Sequence, residues 1–355
     1  MPAHLLFPIG CRHPDAATSS AVLDAVASRA ARTPQAGPWQ SGVFSVLAEH
    51  GVLAGFIPVD CGGTAADEGA LTEFLIDLGG CCLTTALALT QWASGCRIIA
   101  AAPDDTRQRL LHPLALGEQT TTVGISQLTT SRRHLAKAAM QARHVDGQWR
   151  LDGLCPWVTG ADSVDTIVTG AATDSDEPLF FVVAPHHDGV VVEPPMEMLA
   201  LTGSRTSAVH FRSAVPLETI ETERSRRPSA GGLTTSALAV GAALASARLL
   251  AQEASSRSDV APIAQGLAHE AQLLAQRVLA GVREGIEPHD RDELRGAANS
   301  LVIRAAQAGL VASKGAGFVS GHPAELAIRE AMFFLVWSCP LAVSAATLCE
   351  LASLG

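Results

Sequence analysis

Val145-Asp146-Gly147-Gln148-Trp149-Arg150-Leu151-Asp152-Gly153 is the stretch that decides the fold. Asp-Gly between two apolar-alternating runs is the turn of a tight β-hairpin, because such turns need backbone angles that Gly and Asp tolerate. The period of two continues downstream. Thr166-Ile167-Val168-Thr169-Gly170-Ala171 and Leu179-Phe180-Phe181-Val182-Val183-Ala184 read as buried strands. Ala208-Val209-His210-Phe211, followed by Val215-Pro216, reads as the last strand and its exit. From about Thr120 to Leu217, strands at roughly ten-residue spacing with turns between them predict a small antiparallel barrel or sandwich.

On both sides the period lengthens to that of a helix. From Asp15 to about Leu116 apolar residues recur at three and four spacings through Ala21 to Ala31, Val43 to Leu53, Leu71 to Leu78 and Ala86 to Ile99. Ser19 or Ser20 is placed to cap the first helix. Gly55-Phe56-Ile57-Pro58-Val59-Asp60-Cys61-Gly62-Gly63 carries a Pro and paired Gly and reads as an ordered loop. After about Gly231 helical segments run to the end: Ala237 to Ala254, Gly266 to Arg283, Asp292 to Val311, Glu325 to Trp337, and Leu341 to Leu351. The order is helices, strands, helices, an α+β chain dividing at 1–118, 119–222 and 223–355. Helical blocks that flank a β insert can pack on one another across it, giving one composite fold.

Composition narrows the function. The 355 residues are 48% apolar and 17% charged, which suits a packed core and excludes a polyelectrolyte-type disordered chain. A net charge of −10 argues against binding a nucleic-acid backbone. Tyr is absent, which removes any Tyr acid. The uncharged runs Leu78 to Cys96 and Pro228 to Ala247 carry paired Gly and hydroxyls, and Pro340 interrupts Ala331 to Cys349, so no membrane span is expected. The eight Cys include no Cys-x-x-Cys pair and follow no secretory segment, so they read as reduced thiols of a cytoplasmic protein. No metal-ligand spacing occurs.

Several loops carry a more specific signal. Thr121-Thr122-Val123-Gly124-Ile125-Ser126, Trp157-Val158-Thr159-Gly160-Ala161, Leu201-Thr202-Gly203-Ser204-Arg205-Thr206, Lys314-Gly315-Ala316-Gly317-Phe318 and Ile328-Arg329-Glu330-Ala331 stand in that order and spacing, with the 55–63 loop before them. In this the chain resembles the acyl-CoA dehydrogenases. The resemblance implies an N-terminal helical domain, a central antiparallel β-barrel, a C-terminal four-helix bundle, and an FAD cofactor. By the same resemblance Trp157 walls the flavin ring. Ser126 and Thr159, with the backbone of Ile125, address its polar edge. Gly315 and Gly317 let a neighbouring subunit's backbone approach the dinucleotide phosphates. Plainer readings stand beside these: a core aromatic for Trp157, a strand-satisfied hydroxyl for Ser126, a helix-end turn for the two Gly.

The departures are as informative. Where the family runs Thr-Glu-Pro into a Gly-Ser-Asp turn over substrate and flavin, this chain reads Ser126-Gln127-Leu128-Thr129-Thr130-Ser131-Arg132-Arg133. Ser131 and Arg132 are candidate substrate contacts, the cations suiting an anion, or simply a solvated loop. The family's Arg-x-x-Phe-Gly cofactor turn is shortened, and only Arg257 can stand in for it. Counting forward from Arg329-Glu330-Ala331, the family's catalytic Glu falls on Ser338, and the alternative Glu position falls near Thr234-Thr235. Removal of an α proton needs a positioned acceptor, and an unactivated Ser is not one. Cys339, Glu330 and His322 are nearby substitutes with structural explanations of their own.

Three functions are compatible with this pattern: FAD-dependent oxidation of an acyl thioester, carried by CoA or a carrier protein, with an atypical base; a catalytically silent subunit of a hetero-oligomer; or a flavin monooxygenase on the same fold, which needs no α-carbon base. The stretch Ala237 to Ala251 is apolar on more than one face, which predicts a helix–helix subunit interface in a homodimer or homotetramer, or with a homologous subunit.

Overall fold

The computed structural model describes residues 16–32, 39, 42–129, 139–174, 178–221, 232–255 and 257–352. The N-terminal block holds α1 (Ala16–Arg32), α2 (Val43–Glu49), α3 (Val52–Gly55), α4 (Glu68–Cys81), α5 (Leu83–Ile99) and α6 (Asp104–Ala115). Ser19 and Ser20 lie inside α1, not at its start, so neither caps it. The apolar run Val43 to Leu53 is two helices, because Gly51 adopts φ 71° and turns the chain between them. Asp67 caps α4 by accepting a hydrogen bond from the Ala70 amide at 3.0 Å.

The middle block holds β1 (Thr121–Gly124), a single turn α7 (Ser126–Thr129), β2 (Met140–Val145), β3 (Gln148–Val158), β4 (Thr166–Ala172), β5 (Pro178–Val183), β6 (Val190–Val192), β7 (Ser207–Ala214) and β8 (Glu218–Ile220). β2 and β3 form the expected hairpin, with Val145 opposite Gln148 and both Asp146 and Gly147 at positive φ. The sheet runs β6-β7-β3-β2-β4-β5-β8. It is mainly antiparallel, but β1 and β2 both pair parallel with the same edge of β4. Alternation sorts the side chains. Ile167, Ala171, Phe181 and Val183 join a core that the sheet wraps for itself, while Val168, Phe180 and Val182 join the core shared with the helices. β4 is thus covered on both faces, which is why it reads as a continuous apolar run.

The C-terminal block holds α8 (Leu233–Glu253), α9 (Ala261–Glu284), α10 (Pro288–Ser313), α11 (Pro323–Phe333) and α12 (Leu341–Leu351). α8 lies at the centre, packed on α4, α9 and α10. Glycines set the α4–α8 crossing: a Cβ on Gly241 would stand 2.0 Å from the Ile76 carbonyl oxygen, and one on Gly80 2.7 Å from that of Gly241. The Ala-rich stretch 237–251 is therefore buried inside its own chain, against the expected subunit interface. α8 is the one described helix long and apolar enough to cross a membrane, with 67% of its apolar window buried in the fold. The large exposed apolar side chains lie elsewhere: Phe318, Val336, Leu341, Leu348 and Leu351 are 67–85% exposed. Glu325 to Trp337 is not one helix either. α11 stops at Phe333, the chain turns through 334–339, and Pro340 opens α12.

Candidate functional site

The three blocks meet around a cavity of about 1290 Å³. A typical small-molecule pocket is roughly 300–1,000 Å³, so this one has room for a flat ring and a second ligand. One wall is α5, whose three- and four-residue spacing brings Leu87, Thr90, Gln91, Ser94 and Arg97 onto one face. Another is the β domain, contributing Val123, Ile125, Ser126, Trp157, Thr159 and Thr206. The third is the first turn of α8 together with α11 and the 334–338 turn.

Trp157 is 49% exposed although it sits at the end of a buried strand. Its ring faces the cavity, not the barrel core. Thr159 lies within 3.3 Å of Thr206, and Thr206 within 2.8 Å of Ser204, a hydroxyl chain along the cavity floor. Beneath it Arg205 donates from Nε to Asp162 at 3.0 Å and pairs with it a second time through Nη2. Burial alone would raise the Asp162 carboxyl, but hydrogen bonds from Arg205 and Ser163 hold it below its usual range. Arg205 takes a left-handed φ of 50° to make this bracket.

Ser338 lines the cavity at φ 46°, an unusual conformation for a residue with a Cβ. Two contacts hold its turn. Trp337 stacks on Phe333, ring centres 5.1 Å apart. From below, Arg295 of α10, fully buried, donates from Nη2 to the carbonyls of Phe334 at 3.2 Å and Trp337 at 2.9 Å. Burial lowers the Arg295 guanidinium to about 10, with the adjacent Cys339 acting in the opposite sense. Arg329 turns to Glu325 and to the Leu199 carbonyl, 2.9 Å away. Burial pushes the Glu330 carboxyl up to about 7, and the charge of Arg329 offsets this only in part.

The structure thus gathers Ile125, Ser126, Trp157, Thr159 and Ser338 around one cavity, together with Thr234 and Thr235. Arg257, Gly315 and Gly317 are not part of its lining. Arg257 is held by Asp259 at 2.8 Å and the Ala312 carbonyl at 3.2 Å, beside the turn that bears Gly315, around which 4 Å of space is open. Ser131 and Arg132 lie outside the described residues. Nothing in the sequence analysis singled out Thr90, Gln91, Ser94 and Arg97. The available signal was a polar residue at every third or fourth place of an otherwise apolar helix. Glu330 and Cys339 are absent from the lining, and His322 serves as a cap, accepting from the Ala324 amide at 3.1 Å. Among the described lining residues the only ionisable side chains are Arg97 and Arg329. Among the described residues no cluster of His, Cys, Asp and Glu could hold a metal.

No protein-family model matches the sequence, and a search of curated proteins finds no match. Solved structures do match. Glutaryl-CoA dehydrogenase in its glutaryl-CoA complex aligns over 96% of this chain and 96% of its own, with a TM-score of 0.81 at 18% identity. FkbI, for biosynthesis of the methoxymalonyl extender unit of the polyketide Fk520, covers 95% of this chain and 99% of its own, at 0.76 and 18%. KijD3, bound to FMN and a dTDP-linked amino keto sugar, covers 99% and 95%, at 0.72 and 19%. The chain has the acyl-CoA dehydrogenase fold.

The cavity fits a flavin ring. The half-exposed Trp157 is a flat apolar wall, and Ser126, Thr159 and Thr206 supply hydroxyls at its foot.

Proposed function

We propose that this protein is a flavin-dependent oxidoreductase of the monooxygenase kind, and that its reaction does not depend on a cavity side chain removing a proton from substrate carbon. One observation carries this: no carboxylate, imidazole, thiol or amine stands among the described lining residues, while hydroxyls line it at Ser338 and Thr234-Thr235, the two places where the family resemblance would put a base. A bound flavin supplies the redox chemistry. Trp157 would hold the ring face, Thr159 and Ser126 would orient its polar edge, and the apolar side chains of Leu87, Met332 and Phe333 exclude water from the part of the cavity they line. The likeness to FkbI and KijD3 supports a substrate other than a simple saturated acyl-CoA. FAD-dependent α,β-oxidation of an acyl thioester is the second reading. It rests on the fold and on a cavity large enough for ring and acyl chain together.

The test is anaerobic. Purified protein should carry a flavin spectrum that an external reductant bleaches and that a panel of saturated acyl-CoAs leaves unchanged. Rapid bleaching by butyryl-CoA or its homologues would reveal a working base and reinstate the dehydrogenase reading. The exposed apolar side chains of α12 and of the 318 and 336 turns support self-association, as a dimer or tetramer or with a homologous subunit.

A further inference from the structure

Arg295 and Asn299 stand four residues apart on α10, so their side chains lie one above the other on one face of that helix. Both are closed off from solvent, at 0% and 1% exposure. The Arg295 guanidinium uses Nη2 on the carbonyls of Phe334 and Trp337. Its Nε and Nη1, and both Nδ2 and Oδ1 of Asn299, have no hydrogen-bond partner among the described residues. A buried polar group left unpartnered costs stability, and a buried cation without a counter-charge costs more. Among the described residues no carboxylate pairs with Arg295. Asp292, one turn earlier, has its buried Oδ1 3.9 Å from Nε of Arg291, too far for a hydrogen bond. Cys339 is the one ionisable group whose charge acts on the guanidinium, and burial raises its thiol, which keeps it neutral.

The balance of donors and acceptors decides what fits these groups. Arg295 has three N–H bonds left to give and Asn299 two, against a single free acceptor, the Asn299 Oδ1. Water brings as many donors as acceptors, so it absorbs neither that surplus nor the positive charge. A monovalent anion absorbs both. We infer that a small inorganic anion of the size of chloride binds behind the 334–339 turn, held by Nε and Nη1 of Arg295 and the amide of Asn299. The ion neutralises the guanidinium that grips the Phe334 and Trp337 carbonyls, and so braces the wall that presents Trp337 and Ser338 to the cavity. Neither Arg295 nor Asn299 lines the cavity, so this site stands apart from the flavin reading.

The test is a salt exchange on the whole chain. Thermal unfolding is followed by circular dichroism at fixed ionic strength while sodium chloride replaces sodium gluconate, whose anion is too large for the site. A ligand that binds only the folded state raises the midpoint by mass action, so the wild type should gain about 2 °C or more in chloride. Arg295→Met removes the charge and should abolish the gain. Asn299→Leu removes the amide at similar volume and should cut the gain to less than half. Asn299→Leu decides the matter if Arg295→Met does not fold, together with the chloride-35 NMR linewidth, which the wild type should broaden more than Asn299→Leu does. Equal wild-type midpoints in the two salts would mean that water or Asp292 serves the guanidinium, and would overturn the inference. A gain that Asn299→Leu does not cut to less than half, or a linewidth the same in both proteins, would overturn it too.

Discussion

Glu330→Gln should stabilise this protein above neutral pH and leave it nearly unchanged at pH 5. Glu330 stands on α11 beside Arg329, but Arg329 is committed to Glu325 and to the Leu199 carbonyl. Burial therefore dominates and lifts the carboxyl from 4.5 to about 7. In the unfolded chain the group ionises near its ordinary value, while the folded chain retains the proton. Between those two values the unfolded state binds fewer protons, so stability falls as pH rises, and the loss is complete above the folded value. A shift of that size corresponds to at most about 3 kcal/mol, and partial hydration of the site reduces this to about 1–2 kcal/mol. Gln keeps the shape and removes the charge. Urea unfolding at pH 5 and pH 8 should show the variant gaining about 1–2 kcal/mol at pH 8 and within about 0.5 kcal/mol of wild type at pH 5. Asp77 is also raised, by burial, and contributes to the wild-type slope, so the decisive quantity is the difference between the two proteins. A variant destabilised at pH 8 would show that the ionised Glu330 is paired and would refute the reasoning.

Gly241→Ala forces a methyl against the Ile76 carbonyl and should destabilise by about 3 kcal/mol or more, seen as a lower melting temperature. Trp157→Ala removes a half-exposed ring, so it should cost at most about 1 kcal/mol of stability yet lower flavin occupancy, read from the visible spectrum of proteins purified side by side. Ser338→Glu places a carboxylate at the cavity wall and should confer slow anaerobic bleaching by butyryl-CoA on a protein that lacks it, a positioned base contributing about a hundred- to ten-thousand-fold. Leu341→Ser with Leu348→Ser should shift sedimentation toward the monomer without a change in the helical circular-dichroism signal.

The order of elements was legible because each block obeys a different period. Phe180 and Phe181 face opposite cores, so their strand reads as an unbroken apolar run, and the Asp146-Gly147 turn fixes the register beside it. What the period does not carry is partner choice. The run 237–251 looks the same whether its apolar faces meet another subunit or α4, α9 and α10 of its own chain. The crossing is decided by Gly80 and Gly241, which allow two backbones to touch. Nor does alternation show that β1 and β2 share one edge of β4 in parallel, since strand direction depends on how the chain returns rather than on its pattern.

The candidate site was legible at its wall and not in its charge. Trp157 and Thr159 sit in a short segment that carries the family resemblance, and the half-exposed ring at the end of its strand lines the cavity. The resemblance led the sequence reading to expect no carboxylate base at Ser338 or at Thr234-Thr235, but it left the consequence open. An absent Glu at one position leaves a substitute from elsewhere in the fold available. The geometry removes the candidates in turn: Glu330 is turned away from the lining, His322 is spent as a cap, and Cys339 is behind the turn beside Arg295. With those gone, the described lining, with two arginines and several hydroxyls as its polar groups beside Gln91, holds no side chain that would accept a proton from carbon.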